Sequence, residues 1–213
     1  MYKYLVGVVA ILYSSVAWSE LIAFEESGIY KAGDSFQSGG LSFTTNGNDI
    51  SYFSLTDQDN IVGNGSSKLA AANKNVLTIS TIDTNQLFSV NSLFAGGFWT
   101  DPDHWFMSAT GLDFTGQSSN GIVTYRFDFS SFDELQFVYL PDLFKELTSL
   151  EITPYNGITD KTADDHDYYS FVLDDLEVTI HKVSEPKMFL LMLLFMIMHL
   201  GLRVSHRKNL TVK

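Results

Sequence analysis

Between positions 98 and 106 the chain reads Phe98-Trp99-Thr100-Asp101-Pro102-Asp103-His104-Trp105-Phe106, its densest grouping of side chains able to hold a ligand. The faces of Trp99 and Trp105 can cover the C–H faces of a sugar ring, while Asp101, Asp103 and His104 can bond its hydroxyls. Pro102 between two aspartates favours a loop, and loops carried on a rigid scaffold are where binding residues concentrate. A structural reading stands beside this one, in which Trp105 and Phe106 open a core strand and Trp99 caps it.

Two acidic clusters offer metal chemistry on paper. Asp57-Gln58-Asp59-Asn60 followed by Gly63 has the opening of a calcium loop but lacks its later acidic positions, so a turn is the simpler reading. Asp164-Asp165-His166-Asp167 sets three carboxylates beside one imidazole, which could hold a divalent cation or simply form a solvated loop. No Gly-x-Ser-x-Gly elbow, His-Glu-x-x-His or phosphate-binding glycine loop occurs. A glycosidase needs only two carboxylates close in space, so a polysaccharide-active hydrolase stays open as an alternative. The expectation is a protein that is not an enzyme.

The elements that must carry these residues read as strands. Apolar and β-branched runs recur between Gly, Asn, Asp and Ser clusters: Leu21 to Phe24, Leu41 to Thr45, Ile50 to Leu55, Val76 to Ser80, Leu87 to Phe94, Trp105 to Phe114, Ile122 to Phe129, Leu135 to Leu140, Ser149 to Thr153 and Tyr168 to Ile180. Alternation is clearest in Tyr125-Arg126-Phe127-Asp128-Phe129 and from Phe171 to Ile180, predicting one buried and one wet face. Only Leu140 to Leu150 hints at a helical face, through Leu143, Phe144 and Leu147. The predicted fold class is all-β, an antiparallel two-sheet sandwich of jelly-roll type.

All 25 acidic residues lie between Glu20 and Glu185, against seven basic ones, a net charge of −18 over that stretch. Such a surface repels nucleic acid, so no nucleic-acid partner is expected. There is no cysteine, which excludes disulfides, thiol catalysis and thiolate-bound zinc.

The two ends of the chain address it. Lys3, an apolar core from Tyr4 to Ala17 and the small-x-small triplet Ala17-Trp18-Ser19 predict a signal peptide over 1–19. The apolar run from Met188 to Leu202 predicts a transmembrane helix over 188–204, roughly 26 Å long against a hydrocarbon core of about 30 Å. Arg203, His206, Arg207 and Lys208 follow, so the positive-inside rule leaves the end, 209–213, in the cytoplasm and the domain over 20–183 outside.

The order Ser184-Glu185-Pro186, hydrophobic helix and basic cluster resembles the PEP-CTERM sorting signal of Gram-negative bacteria, with residues 184–208 carrying the likeness and Ser184 standing where the family has its first proline. The resemblance implies export through the inner membrane, an exosortase-type processing protease as partner, and either anchoring in the membrane or release to the surface or extracellular matrix. Phe24-Glu25 near the start, a Gly-rich middle and Phe171-Val172-Leu173-Asp174-Asp175-Leu176 near the close resemble the jelly-roll domains of PEP-CTERM proteins and carbohydrate-binding modules. That second resemblance implies a structural Ca²⁺ tying first strand to last through Glu25 or Glu26 and Asp174 or Asp175, and extracellular polysaccharide as ligand. Together these readings predict a non-catalytic surface or matrix protein, with a purely structural or adhesive anchored protein as alternative.

Overall fold

The computed structural model describes residues 17–24, 28–31, 33–46, 52–56, 68–72, 75–98, 108–131, 133–156 and 169–182. These all fall within Ala17–Lys182, a single compact unit. Thirteen strands follow one another: β1 Ala17–Ile22, β2 Gly28–Lys31, β3 Ser35–Ser38, β4 Leu41–Thr45, β5 Tyr52–Thr56, β6 Lys68–Ala72, β7 Leu77–Thr81, β8 Gln86–Gly97, β9 Gly111–Ser118, β10 Gly121–Asp128, β11 Gln136–Tyr139, β12 Leu147–Tyr155 and β13 Phe171–Lys182. No helix occurs among the described residues, and none there is long and apolar enough to cross a membrane.

Every strand pair is antiparallel. One layer runs β1–β13–β8–β11, with β6, β5 and β2 added beside β13. The other runs β10–β9–β12–β7–β4–β3. A single rung, Leu147↔Phe88, joins the layers into one hydrogen-bonded network. The first strand lies against the last in one layer, β12 inserts between β9 and β7 in the other, and the chain crosses repeatedly between layers, a double Greek key.

Alternating side chains build the core between these layers. Leu176, Val178 and Ile180 of β13 and Phe88 and Val90 of β8 face Leu150 and Ile152 of β12 and Phe43 of β4, all buried in one cluster. Phe36, Phe43 and Phe24 form its aromatic centre, Phe36 stacked on Phe43 at 4.7 Å between centroids and Phe24 edge-on to Phe43 at 5.6 Å. In β10 the alternation is complete, with Ile122, Thr124, Arg126 and Asp128 exposed and the residues between them half-buried.

The all-β sandwich agrees with the sequence expectation, and β4 has the predicted limits. Three strands escaped it. β2 contains a glycine and β3 is bounded by serines, which weakens a strand signal, and β6, Lys-Leu-Ala-Ala-Ala, has no β-branched residue. Position decides for β6: β5 flanks it on one side and β13 on the other, and all five residues are buried. The hinted helix over Leu140 to Leu150 is instead a connection held by Phe144 N–H donating to Pro141 O at 2.9 Å, after which β12 begins at Leu147. The strand expected from Trp105 starts, among the described residues, at Gly111, preceded by an isolated bridge at Ser108.

β1 includes Ala17, Trp18 and Ser19, the residues expected to end the signal peptide, which pair with His181, Ile180 and Thr179. The rest of that segment, the helix expected over 188–204 and the motif Ser184-Glu185-Pro186 lie outside the described residues.

Candidate binding surface

Trp99, Asp101, Asp103, His104 and Trp105 lie outside the described residues, as do Asp57 to Asn60 and Asp164 to Asp167. What is described is how the segments that contain the aromatic group and the second acidic group are rooted. β8 ends with Gly97 opposite Phe171 at the start of β13. Phe98 N–H then donates to Ser108 Oγ at 3.2 Å, closing the base of the 99–107 segment. Ser108 forms a parallel bridge with Ser170, and Ala109 N–H donates to Ser170 O at 2.8 Å. Next in line, Thr110 N–H donates to Tyr155 O at 2.8 Å. The stretches that leave at Phe98 and Asn156 and return at Ser108 and Tyr169 therefore share one foundation at one end of the sandwich.

That foundation is firm. Phe98 is buried with Ala70, Ala72 and Val172 in a second apolar cluster, and Ser108 and Ser170 are buried polar residues. Buried hydroxyls that bond backbone groups fix the chain direction at the roots, as isolated apolar contacts cannot.

The outer face of the second layer adds a charged and aromatic group beside the roots. Register places Arg126, Asp113 and Thr153 in one row and Asp128, Gly111 and Tyr155 in the next. Arg126 donates from Nε and Nη2 to the two carboxylate oxygens of Asp113, both at 2.6 Å, a bidentate fork. Its guanidinium carbon also stands 4.2 Å from the centre of the Tyr155 ring. Gly111 makes room for that ring, since a Cβ there would collide with Phe127 O and meet the Tyr155 ring and hydroxyl at 2.7 Å. The Tyr155 hydroxyl is buried without a hydrogen-bond partner. The bond to Asp113 raises the arginine's pKa, desolvation opposes it, and the charges of Asp113 and Asp128 add to the rise. The result is a fixed cation on an aromatic face, next to the bases of both segments. Sequence reading identified this strand by its alternation but did not single out Arg126, the one arginine between Glu20 and Glu185.

Two of the expected calcium ligands, Asp174 and Asp175, fall elsewhere, midway along one side of β13. Here β13 exchanges neighbours: its ladder with β6 ends at Leu173↔Leu69 and its ladder with β1 ends at Leu176↔Ile22. Asp174 and Asp175 fill the gap, Asp174 fully buried and Asp175 half-buried with φ +44°, and Asp175 N–H donates to Asp174 Oδ1 at 2.9 Å. Phe24, with φ +46°, ends the described part of β1's exit, and Glu25 and Glu26 lie outside the described residues. Lys68, 2% exposed, is the next β6 position toward Asp174, so buried residues of opposite charge flank the gap. The lysine was invisible in the sequence because its burial depends on β6 being an inner strand. Among the described residues no group of three or more His, Asp or Glu side chains gathers to hold a metal.

Comparison with protein-family models and with curated proteins finds no match. Among solved structures, similar chains include a DUF4465 family protein from Bacteroides ovatus, at 10% identity and TM-score 0.46, covering 78% of this chain and 99% of that one. An F5/8 type C domain from Bacteroides fragilis is similar at 9% identity and TM-score 0.41, over 68% and 95% of the two chains. The family 32 CBM from C. perfringens NanJ, in complex with galactose, is similar at 12% identity and TM-score 0.34, over 76% and 99%. At these scores the likenesses carry no argument about what this chain binds.

Proposed function

We propose that this protein is a non-catalytic, exported jelly-roll domain, sorted by a PEP-CTERM-like tail, that binds polysaccharide at the cell surface or in the extracellular matrix through the segment containing Trp99, Asp101, Asp103, His104 and Trp105. The observation that supports it most is the shared foundation at Phe98, Ser108, Tyr155 and Ser170, which roots the aromatic segment and the acidic segment side by side. Two connections rooted together at the end of a rigid sandwich are the arrangement from which a compact site can be built. The surface charge favours neutral or amino-bearing sugars over polyanions. The interleaved strand order is that of a jelly roll, and it pairs the first strand with the last. Ca²⁺ held by Glu25 with Asp174 and Asp175 belongs to the same reading, and it would tie the point where β1 leaves β13.

Binding is tested with the full-length chain in mild detergent on a panel of immobilised polysaccharides. Retention on at least one polymer, lost in the Trp99→Ala and Trp105→Ala variants, is the expected result. Retention unchanged by both substitutions sinks the sugar-binding reading. Calcium is tested separately by melting with and without chelator, where an unchanged Tm removes the metal. The sorting tail is tested by the intact mass of the mature protein, which should end near Ser184 if the tail is processed. The second reading, a structural or adhesive protein without a sugar site, gains if no polymer is retained.

A further inference from the structure

β10 closes the outer side of the second layer. It pairs with β9 over its whole length, from Gly121↔Ser118 to Asp128↔Gly111, without a shift of register, and with no other strand among the described residues. Phe129 N–H donates to Thr110 O, and antiparallel partners alternate, so the odd-numbered residues direct their backbone groups at β9. Ile122, Thr124, Arg126 and Asp128 direct theirs outward, away from the sheet.

Exposed edges are normally blunted by shortness, lysine, proline or a bulge. The strands at the ends of the sheet path, β2 and β3, and the outer strand β11 have four residues each, and β2 ends in Lys31. β10 has eight residues and no lysine, proline or bulge, and its two charges, Arg126 and Asp128, are of opposite sign. Its inner row, Val123, Tyr125 and Phe127, packs on the core yet remains half-exposed, and Ile122 on the outer row is 69% exposed.

We propose that β10 is a self-association edge, to which a second copy of this chain adds its own β10 antiparallel across a two-fold axis at Thr124. In this register the outward backbone groups of Ile122, Thr124 and Arg126 meet their equivalents as hydrogen-bonded pairs. Val123 faces Tyr125 of the second copy and Gly121 faces its Phe127, aromatic against β-branched and aromatic against glycine, combinations that stabilise cross-strand contact. Ile122 faces Arg126, and no like charges oppose each other. Arg126 is already neutralised within its own chain by Asp113. Centring the axis on Tyr125 instead would set the Asp128 carboxylate against Ile122. A chain with net charge −18 over Glu20–Glu185 repels its copy elsewhere, and β10, with one arginine and one aspartate, is a stretch where that repulsion is locally cancelled. Added salt screens the remainder, so association strengthens with ionic strength.

The absence of cysteine makes a clean test possible, because one substitution introduces the only thiol. Facing Cα atoms of a hydrogen-bonded pair lie about 5.5 Å apart, inside the disulfide range of roughly 4.4–6.8 Å. In the full-length chain, solubilised in mild detergent and gently oxidised, most Thr124→Cys protein should run as a covalent dimer on a non-reducing gel. Ile122→Cys should stay monomeric, since its two thiols would be displaced by roughly 13 Å along the strands. Thr124→Pro removes only an outward N–H, which an edge position tolerates. It should convert the light-scattering mass from dimer to monomer with Tm unchanged at low protein concentration. Equal cross-linking of the two cysteine variants, cross-linking of neither, or a monomeric parent chain overturns the proposal. The test stands apart from sugar binding, on which the inference does not depend.

Discussion

At one end of the sandwich the strands are joined tightly: Gly39-Gly40 between β3 and β4, Ile82 to Asn85 between β7 and β8, Ser119-Asn120 between β9 and β10, and Leu140 to Glu146 between β11 and β12. Gly39 and Gly40 have φ of +55° and +73°, the left-handed pair that a two-residue hairpin of matching twist requires. At the other end, β8 and β12 release the segments 99–107 and 157–168, whose roots are tied by backbone bonds at Ser108, Ala109 and Thr110. The difference separates two duties. The turn end fixes register through local chemistry, and the root end holds long connections by contacts between residues distant in sequence.

The largest expected effect breaks the turn end. Phe144 is fully buried, its N–H donates to Pro141 O and its carbonyl accepts from Val90 N–H at 3.1 Å, so one side chain anchors the whole β11–β12 connection. Phe144→Ala should cost about 3–5 kcal/mol, a large share of the roughly 5–15 kcal/mol that holds a domain together. Equilibrium denaturation in guanidinium measures it. A loss below about 1 kcal/mol would mean that the connection is held by its backbone bonds alone.

A smaller effect belongs to the root end. In Gly111→Ala the new methyl meets Phe127 O, a backbone atom that cannot swing aside, along with the Tyr155 ring. Overpacking of this kind costs roughly 1–3 kcal/mol. Because Thr110 and Tyr155 share a backbone bond, the strain falls on the roots of both long segments. The expected signature is a modest fall in Tm accompanied by weaker retention on any polysaccharide that the parent chain binds. A fall in Tm with unchanged retention would separate the roots from the proposed site.

The same contrast explains what could be read from sequence. β4, β7, β10 and β13 were legible because their periodicity is local, and the all-β sandwich followed from such strands. β6 was not, since Leu69 to Ala72 become a strand only by lying between β5 and β13. Asp174 and Asp175 were picked out as acids, but the exchange of β6 for β1 beside them, and the burial of Lys68, depend on pairings far apart in the chain. The Tyr155, Gly111 and Arg126 group likewise needs three strands in register before its chemistry exists. Of the expected sugar-binding residues, the structure describes only the foundation.

The smallest expected effect compares one ion pair at each end through their response to alkali. Near the turns, Lys145 Nζ lies 2.7 Å from Asp142 Oδ1, with both side chains well exposed. The hydrogen bond to Asp142 raises the lysine's pKa from 10.5, Coulomb attraction to the same group adds, and desolvation subtracts. A group whose folded pKa is raised contributes fully below its unfolded value and loses that contribution as pH rises through the folded value. Lys145→Met should therefore differ from the parent by a small constant amount from neutrality up to about pH 10.5, and the difference should vanish only above it. Arg126 near the roots is raised in the same sense by its bond to Asp113, so that pair outlasts the lysine pair. Thermal melts across an alkaline series should show the Lys145→Met difference disappearing above about pH 10.5 while the Arg126→Met difference persists. A Lys145→Met variant that matches the parent already at neutral pH would show that the Lys145 pair is not closed in solution.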